Sequence, residues 1–357
     1  MSARLDGLTV LDASQLLPGP YAAQMLGDLG AEVIKIEPPR GDAAREFRGD
    51  IFTVANRNKT SRLLDLKSED GRAELLRLAA TCDVFFEGYR PGVAERLGIG
   101  YDDLAAINPG IVYCSITGYG RGDERSGLPG HDINYIAAAG ALSFSGHWGQ
   151  RPQRPGVPLA DMGAASYAVI AILAALRERD RTGRGGHVDV SMTDVMLAWA
   201  SVRGGAHLDT GVEVTRHLYP TNDVFVTRDG RRIAIGALEE RFWQQARPVL
   251  AQVEPRLAEP RWDEEQARTT YAQEAYDLVA GAVAQRDLAG WLEAFAGVDT
   301  PVSPVVSLAE AVEARAEQGD GLVRELDGQR HVVFPVKLNG EVLGTLRAPA
   351  PALPDLA

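Results

Sequence analysis

Three short stretches place ionisable side chains where proton or acyl chemistry could use them. Gly130 to Tyr135 reads GHDINY, a histidine beside an acid and an amide just after a turn-forming Leu128-Pro129. A histidine in a Gly-flanked polar loop is better placed for proton transfer than one on an apolar helix face. The plainer alternative is that Asp132 caps a helix beginning INYIAAAGAL. Leu159 to Gly163 (LADMG) sets Asp161 at the head of a strongly apolar helix. There it either caps that helix or works beside free backbone N–H groups that could polarise a carbonyl. Gly236 to Trp243 (GALEERFW) puts Glu239 where a strand becomes a helix, pointing into a cleft or capping EERFWQQ.

A basic set accompanies these acids: Arg40, Arg45, Arg48, Arg57, Lys59, Arg62, Lys67, Arg90 and Arg96. Phosphate and pyrophosphate need such donors, and arginine offers a bidentate fork. Asp42, Glu46, Asp50 and Asp65 interleave with them, which is also what an ordinary solvated surface looks like. Arg90 is the most suggestive because it ends the run DVFFEGYR, and open α/β sheets gather ligands at strand ends.

The elements that must position these groups alternate along the first 120 residues. Strands are expected at 8–14, 31–37, 61–66, 83–89 and 111–120, with helices at 20–30 and 70–81 and helical text at PGVAERLG. That alternation predicts an α/β fold with a mostly parallel sheet covered on both faces. The first strand runs into DASQLLPGPYAAQ, not GxGxxG, so a dinucleotide would find no phosphate loop. A buried helix over 163–179 and a strand over 187–192 follow. Residues 201–222 lose periodicity and read as a linker, and 223–237 read as a hairpin around Asp229-Gly230. Helices then run to about 315, and short strands around Asn339-Gly340 close the chain. The expected domains are a large one over 1–200, rejoined by 316–357, and a smaller α+β one over 223–315.

The balance of the 357-residue chain, 45% hydrophobic and 24% charged, is that of a globular protein. A net charge of −12 argues against nucleic acid as a partner, because phosphate neutralisation needs a basic surface. Cys82 and Cys114 each sit inside an apolar run and read as buried thiols in a reducing, cytoplasmic setting. The N-terminus carries no apolar signal-like run, and Tyr167 to Leu176 is too short a run for a membrane span.

Several separated segments, in order, resemble the class III CoA-transferase superfamily of the carnitine-CoA transferase type. They are GLTVLDASQLLPGPYAAQMLGDLGAEVIKIEPPRGD, NRNKTSRLLDLKS, VFFEGYRPGVAERLG, GHDINYIAAAGALS and GHVDVSMTDVML. GHDINY together with GALEERF looks most like the α-methylacyl-CoA racemase branch. The resemblance implies a Rossmann-like large domain, a small domain and an interlocked homodimer, with an acyl-CoA substrate. It further implies no permanently bound cofactor, with coenzyme A entering as part of the thioester. It implies His131 and Asp161 as the acid/base pair, with Glu239 behind the histidine. Coenzyme A contacts carry over to Leu64, Asp65, Leu66, Lys67, Gly88, Tyr89, Arg90 and Arg96, and to Gly130, Asp132, Asn134 and Tyr135 of the loop. Where racemases often have an arginine after the acid of the second strand, Pro38-Pro39 follow Glu37, so Arg40 is the substitute. Val157 stands where they tend to have asparagine, and Asn222 where a tyrosine is common.

Two reactions and one non-catalytic role fit these residues. The first is 1,1-proton transfer at the α-carbon of a 2-methylacyl-CoA, with one group on each face of an enolate. The second is CoA transfer between carboxylic acids, with Asp161 attacking the thioester to give a mixed anhydride. The third, simple acyl-CoA binding, would reduce Asp161 and His131 to a cap and a loop filler.

Overall fold

The structure, a computed structural model, describes residues 4–47, 51–148, 152–204, 208 and 219–353. It divides into two compact units, one of 1–141, 155–200 and 312–357, the other of 142–154 and 201–311.

The first unit is built on six strands. They are β1 (Thr9–Asp12), β2 (Glu32–Glu37), β3 (Lys59–Leu63), β4 (Val84–Glu87), β5 (Val112–Thr117) and β6 (Gly186–Ser191). Their order in the sheet is β3-β2-β1-β4-β5-β6 and every pairing is parallel. β4 and β5 are buried at every position, as strands covered on both faces must be, whereas the edge strand β6 alternates until its end. Chain order reverses between β1 and β4, so the loops leaving their carboxyl ends diverge and open a crevice.

Helices α1 (Pro18–Asp28), α2 (Ile51–Ala55), α3 (Glu69–Ala79), α4 (Val93–Arg96) and α5 (Tyr101–Ile107) connect the first five strands. Leu75, Ala79, Ala94, Ile99 and Leu104 pack with Leu11, Phe85 and Tyr113 in one core cluster. Cys82 and Cys114 are free and buried, and burial pushes the Cys82 thiol up to about 12. Then come α6 (Asp132–Ala138), α7 (Leu159–Thr182) and α8 (Met192–Gly204). α7 extends the apolar run at both ends to 24 residues, long and apolar enough by itself to cross a bilayer. Instead it packs against α1, β5 and β6, with Ala164, Ala168 and Ile172 fully buried. Gly163 allows α8 close, since a Cβ there would lie about 3 Å from Trp199, Met196 and Val195.

The turn after β1 is held by buried charge in place of a glycine loop. Lys59 Nζ donates to Asp12 at 2.7 Å, to the Pro20 carbonyl at 2.7 Å and to Asn56 at 2.9 Å. Lys35 Nζ meets Asp42 at 2.8 Å and the Ser14 carbonyl at 3.1 Å. Burial pulls Lys59 down to about 8 against the opposing pull of Asp12. Asp42 also accepts from Leu16 N–H at 3.1 Å, holding that residue at a φ of +66°.

In the second unit β7 (Asn222–Val226) and β8 (Arg232–Gly236) form the expected antiparallel hairpin, and β9 (Val302–Pro304) adds a third strand. Helices α9 (Glu240–Ala251), α10 (Glu265–Thr270), α11 (Ala272–Val283) and α12 (Leu288–Ala294) cover it. Trp243, Trp262 and Trp291 fill its core, and the indoles of Trp243 and Trp291 donate to the Trp262 and Val283 carbonyls. Residues 142–154, expected with the large domain, group here. Asp223 explains it by pairing with His147 Nδ1 at 2.6 Å and accepting from Trp148 N–H at 2.8 Å. Most of the expected linker, 205–207 and 209–218, lies outside the described residues.

After α13 (Leu308–Glu317) the chain returns to the first unit through two hairpins. They are β10 (Val323–Leu326) with β11 (Gln329–Val332), and β12 (Lys337–Leu338) with β13 (Glu341–Val342). Asp28 is the anchor: its carboxylate accepts from Arg57, Asn58 and Phe334 N–H, and its carbonyl accepts from Thr345. Arg347 donates to the Gly27 and Ala31 carbonyls.

Candidate active site

A cleft of about 230 Å³ opens at the carboxyl ends of β1 to β4. Leu64, Asp65, Leu66, Lys67 and Tyr89 line it, five of the expected coenzyme A contacts, together with Gln15, Ile36, Glu37, Pro38, Val93 and Leu97. Sequence reasoning missed those six. Gln15 is a polar residue just after β1, and Val93 and Leu97 lie at the start of and just after α4, where nothing in the sequence sets them apart. The loop after β3 turns on Lys67 N–H donating to Asp65 Oδ1 at 3.0 Å, and Ser68 caps α3 behind it. Gly71 is required there, because a Cβ would fall 2.2 Å from the Asp65 carbonyl oxygen.

Glu37 forms one wall, with its carboxylate already committed. Burial pushes it up, but Arg45 in a bidentate pair at 2.7 and 2.8 Å, Ser61 and the Asp42 amide outweigh that and hold it below the usual carboxylate range. Gly88 passes Ser14 across the crevice, while Arg40, Arg90 and Arg96 are exposed and outside the cleft lining.

The GHDINY loop opens α6. His131 is the N-cap residue; its N–H donates to Asn134 Oδ1 at 3.0 Å and its side chain is exposed. Gly130 and Gly118 make room for Tyr135, whose ring atoms would meet a Cβ at 2.7 and 2.3 Å respectively. Tyr135 packs edge-on against Tyr119 at 5.1 Å, and burial pushes its hydroxyl up to about 12. Asp132 does not cap its own helix, contrary to the plainer expectation. Its Oδ1 reaches across to α7 and accepts from Ala160 N–H at 2.7 Å and Asp161 N–H at 3.3 Å.

That contact changes the picture of Asp161 in two ways. The helix begins at Leu159, so Asp161 lies inside its first turn instead of ahead of it. The amides expected to be free are occupied: Asp132 takes those of Ala160 and Asp161, and Met162 N–H bonds the Pro158 carbonyl. An oxyanion at the acyl end must find its donors elsewhere. The Asp161 carboxyl is half-buried, and burial together with the nearby Asp132 charge raises it to about 7.

The cleft and the carboxylate pair both lie in the first unit. Arg90 follows the cleft residue Tyr89, and the charges of both Arg90 and Asp161 act on the Tyr135 hydroxyl. His131 is joined to Asp161 through a single residue, Asp132, and one hydrogen bond. Glu239 lies in the second unit, exposed, at the N-cap position of α9 without a side-chain capping bond. Among the described residues, no group of three or more His, Cys, Asp or Glu side chains is gathered to hold a metal ion.

The family model for CoA-transferase family III matches residues 5–355, and the chain belongs to that family. It is thus an enzyme of the family III CoA-transferase and racemase type, acting on acyl-CoA. Succinyl-CoA:glutarate CoA-transferase of Mus musculus is 32% identical over 362 residues, 98% of this chain and 80% of that protein. Alpha-methylacyl-CoA racemase of Homo sapiens is 32% identical over 357 residues, 94% of this chain and 87% of that protein. The crystal structure of a CAIB/BAIF family protein from Brucella suis matches with a TM-score of 0.86 at 28% identity, covering 99% of this chain and 97% of that one.

Proposed function

We propose that this enzyme epimerises the α-carbon of a 2-methylacyl-CoA by 1,1-proton transfer. The observation that carries the reading is the Asp161 carboxyl, raised to about 7 and joined to His131 through Asp132. A group that ionises near the working pH both takes and returns a proton efficiently. One of the pair removes the α-proton, the thioester becomes an enolate, and the other protonates the opposite face. The nucleotide end of the thioester occupies the cleft, and its pantetheine arm passes Tyr89 and Arg90 toward Asp161.

The second reading is CoA transfer, and the naming of the mouse relative favours it. Asp161 would attack the thioester carbonyl, expelling the CoA thiolate and leaving a mixed anhydride. Nothing in that step needs a group on the opposite face. The two readings therefore part at His131. Under epimerisation, His131→Ala and Asp161→Asn each slow interconversion of the epimers by about 100-fold or more. If His131→Ala instead keeps full turnover, and CoA passes to an added carboxylic acid in a reaction only Asp161→Asn abolishes, transfer replaces epimerisation.

The enzyme is proposed to work as a homodimer in the cytoplasm. Tyr167, Ile170 and Leu173 of α7 and Leu197 and Trp199 of α8 are exposed, an apolar face suited to a second copy. Two free, buried cysteines suit a reducing compartment. Light scattering should report the mass of two chains.

A further inference from the structure

We infer that Asp132 is the positioning residue of Asp161, holding the first turn of α7 with Oδ1 while setting a second carboxylate charge beside the reacting one. Two features of the geometry lead there. The N-cap residue of α7 is Pro158, which supplies no side-chain oxygen, so the amides of Ala160 and Asp161 depend on a cap from outside the helix. Asp132 provides it from α6, at 2.7 and 3.3 Å. Its second oxygen, Oδ2, is buried with no hydrogen-bond partner among the described residues, and the residue is only 5% exposed.

The two oxygens do different work. Oδ1 draws α6 and α7 together and fixes where the Asp161 carboxyl can point, while the covalent link to His131 ties both proton-transfer groups to one anchor. No cation among the described residues pairs with Oδ2, and the Asp132 charge acts on the Asp161 carboxyl. Among the described residues Asp132 is the charged group that does so, and the Tyr135 hydroxyl in turn feels the Asp161 charge. Asp161 therefore holds its proton at a pH where an ordinary aspartate has lost it, ready to deliver it to a carbanion. This assignment rests on the acyl-CoA reading only in saying what the proton is for.

The test reads Asp161 directly and needs no substrate. The carboxyl ¹³C signal of Asp161, identified by its loss in Asp161→Asn, is titrated in the wild type and in Asp132→Asn. The substituted amide keeps an oxygen for the two N–H groups but removes the charge. The wild-type midpoint should lie near 7, and the variant's at least one unit lower, a tenfold change in the ratio of protonated to ionised carboxyl. An unchanged midpoint overturns the electrostatic role. Should Asp132→Asn not fold, Asp132→Ser, neutral and still an acceptor, takes its place in the same comparison. Amide exchange at Ala160 and Asp161 reads the capping role: at least tenfold faster in Asp132→Ala, near wild type in Asp132→Asn. Equal rates in Asp132→Ala and wild type overturn it. A shifted midpoint in an enzyme without epimerase activity would reject the acyl reading alone; an unshifted midpoint in an active enzyme would reject this one alone.

Discussion

Asp161 and Glu37 are both acids drawn out of water, and their partners send them in opposite directions. Glu37 meets Arg45, Ser61 and a backbone amide, all of which favour its charge. Asp161 meets burial and another carboxylate, which both oppose it. The consequence reaches stability. Because Asp161 binds its proton more tightly in the folded chain than in the unfolded one, its contribution is complete below about pH 4. It is lost as pH rises through about 7. Asp161→Asn removes that loss, so the variant should match the wild type near pH 4 and exceed it by about 1–2 kcal/mol at pH 8, after allowance for partial exposure. Denaturant unfolding at the two pH values measures this. A variant no more stable than wild type at pH 8 would mean the carboxyl is not raised.

At the scale of elements, the loops leaving β1 to β4 make the cleft, and each is held by a short-range constraint. The loop after β3 rests on Gly71, whose missing Cβ lets the first turn of α3 sit against the Asp65 backbone. Gly71→Ala must move that loop, and with it Leu64 to Lys67. Free coenzyme A should bind about tenfold more weakly by calorimetry, a loss of ~1.4 kcal/mol, while the sheet remains folded. Unchanged affinity would show that the loop does not grip the ligand. The elements themselves were readable because a run of four to six β-branched or aromatic residues between turn signals has few other places to go. β1, β2, β4 and β5 lie inside the stretches that the alternation predicted, while β6 begins one residue and β3 two residues earlier than its own. α5, β9, β10 and β11 were not legible. The strands are only three or four residues long, too short for alternation to stand out, and β10 and β11 lie mostly at the surface.

Across the whole molecule, what the sequence hid were reaches between elements distant in the chain. Periodicity reports which face of a helix is buried; it is silent on whose amides a side chain will meet. Asp132 looked like the cap of the helix it begins and instead caps one starting 27 residues later. Asp223 collects residues 142–154 into the second unit, and Asp28 fastens the returning C-terminal segment to the first. His131, Asp161 and the Leu64 to Lys67 loop could be named in advance because the family resemblance carried them. Gln15, Val93 and Leu97 could not, since only the closed fold lines them along one cleft.

The central claim is that protons leave and return at the carbon next to the thioester. A single epimer of a 2-methylacyl-CoA, incubated with the enzyme in deuterated water without any added acid, provides the direct measurement by NMR. The account predicts both epimers, with deuterium at the α-position. Unchanged starting epimer with its α-hydrogen intact would contradict it.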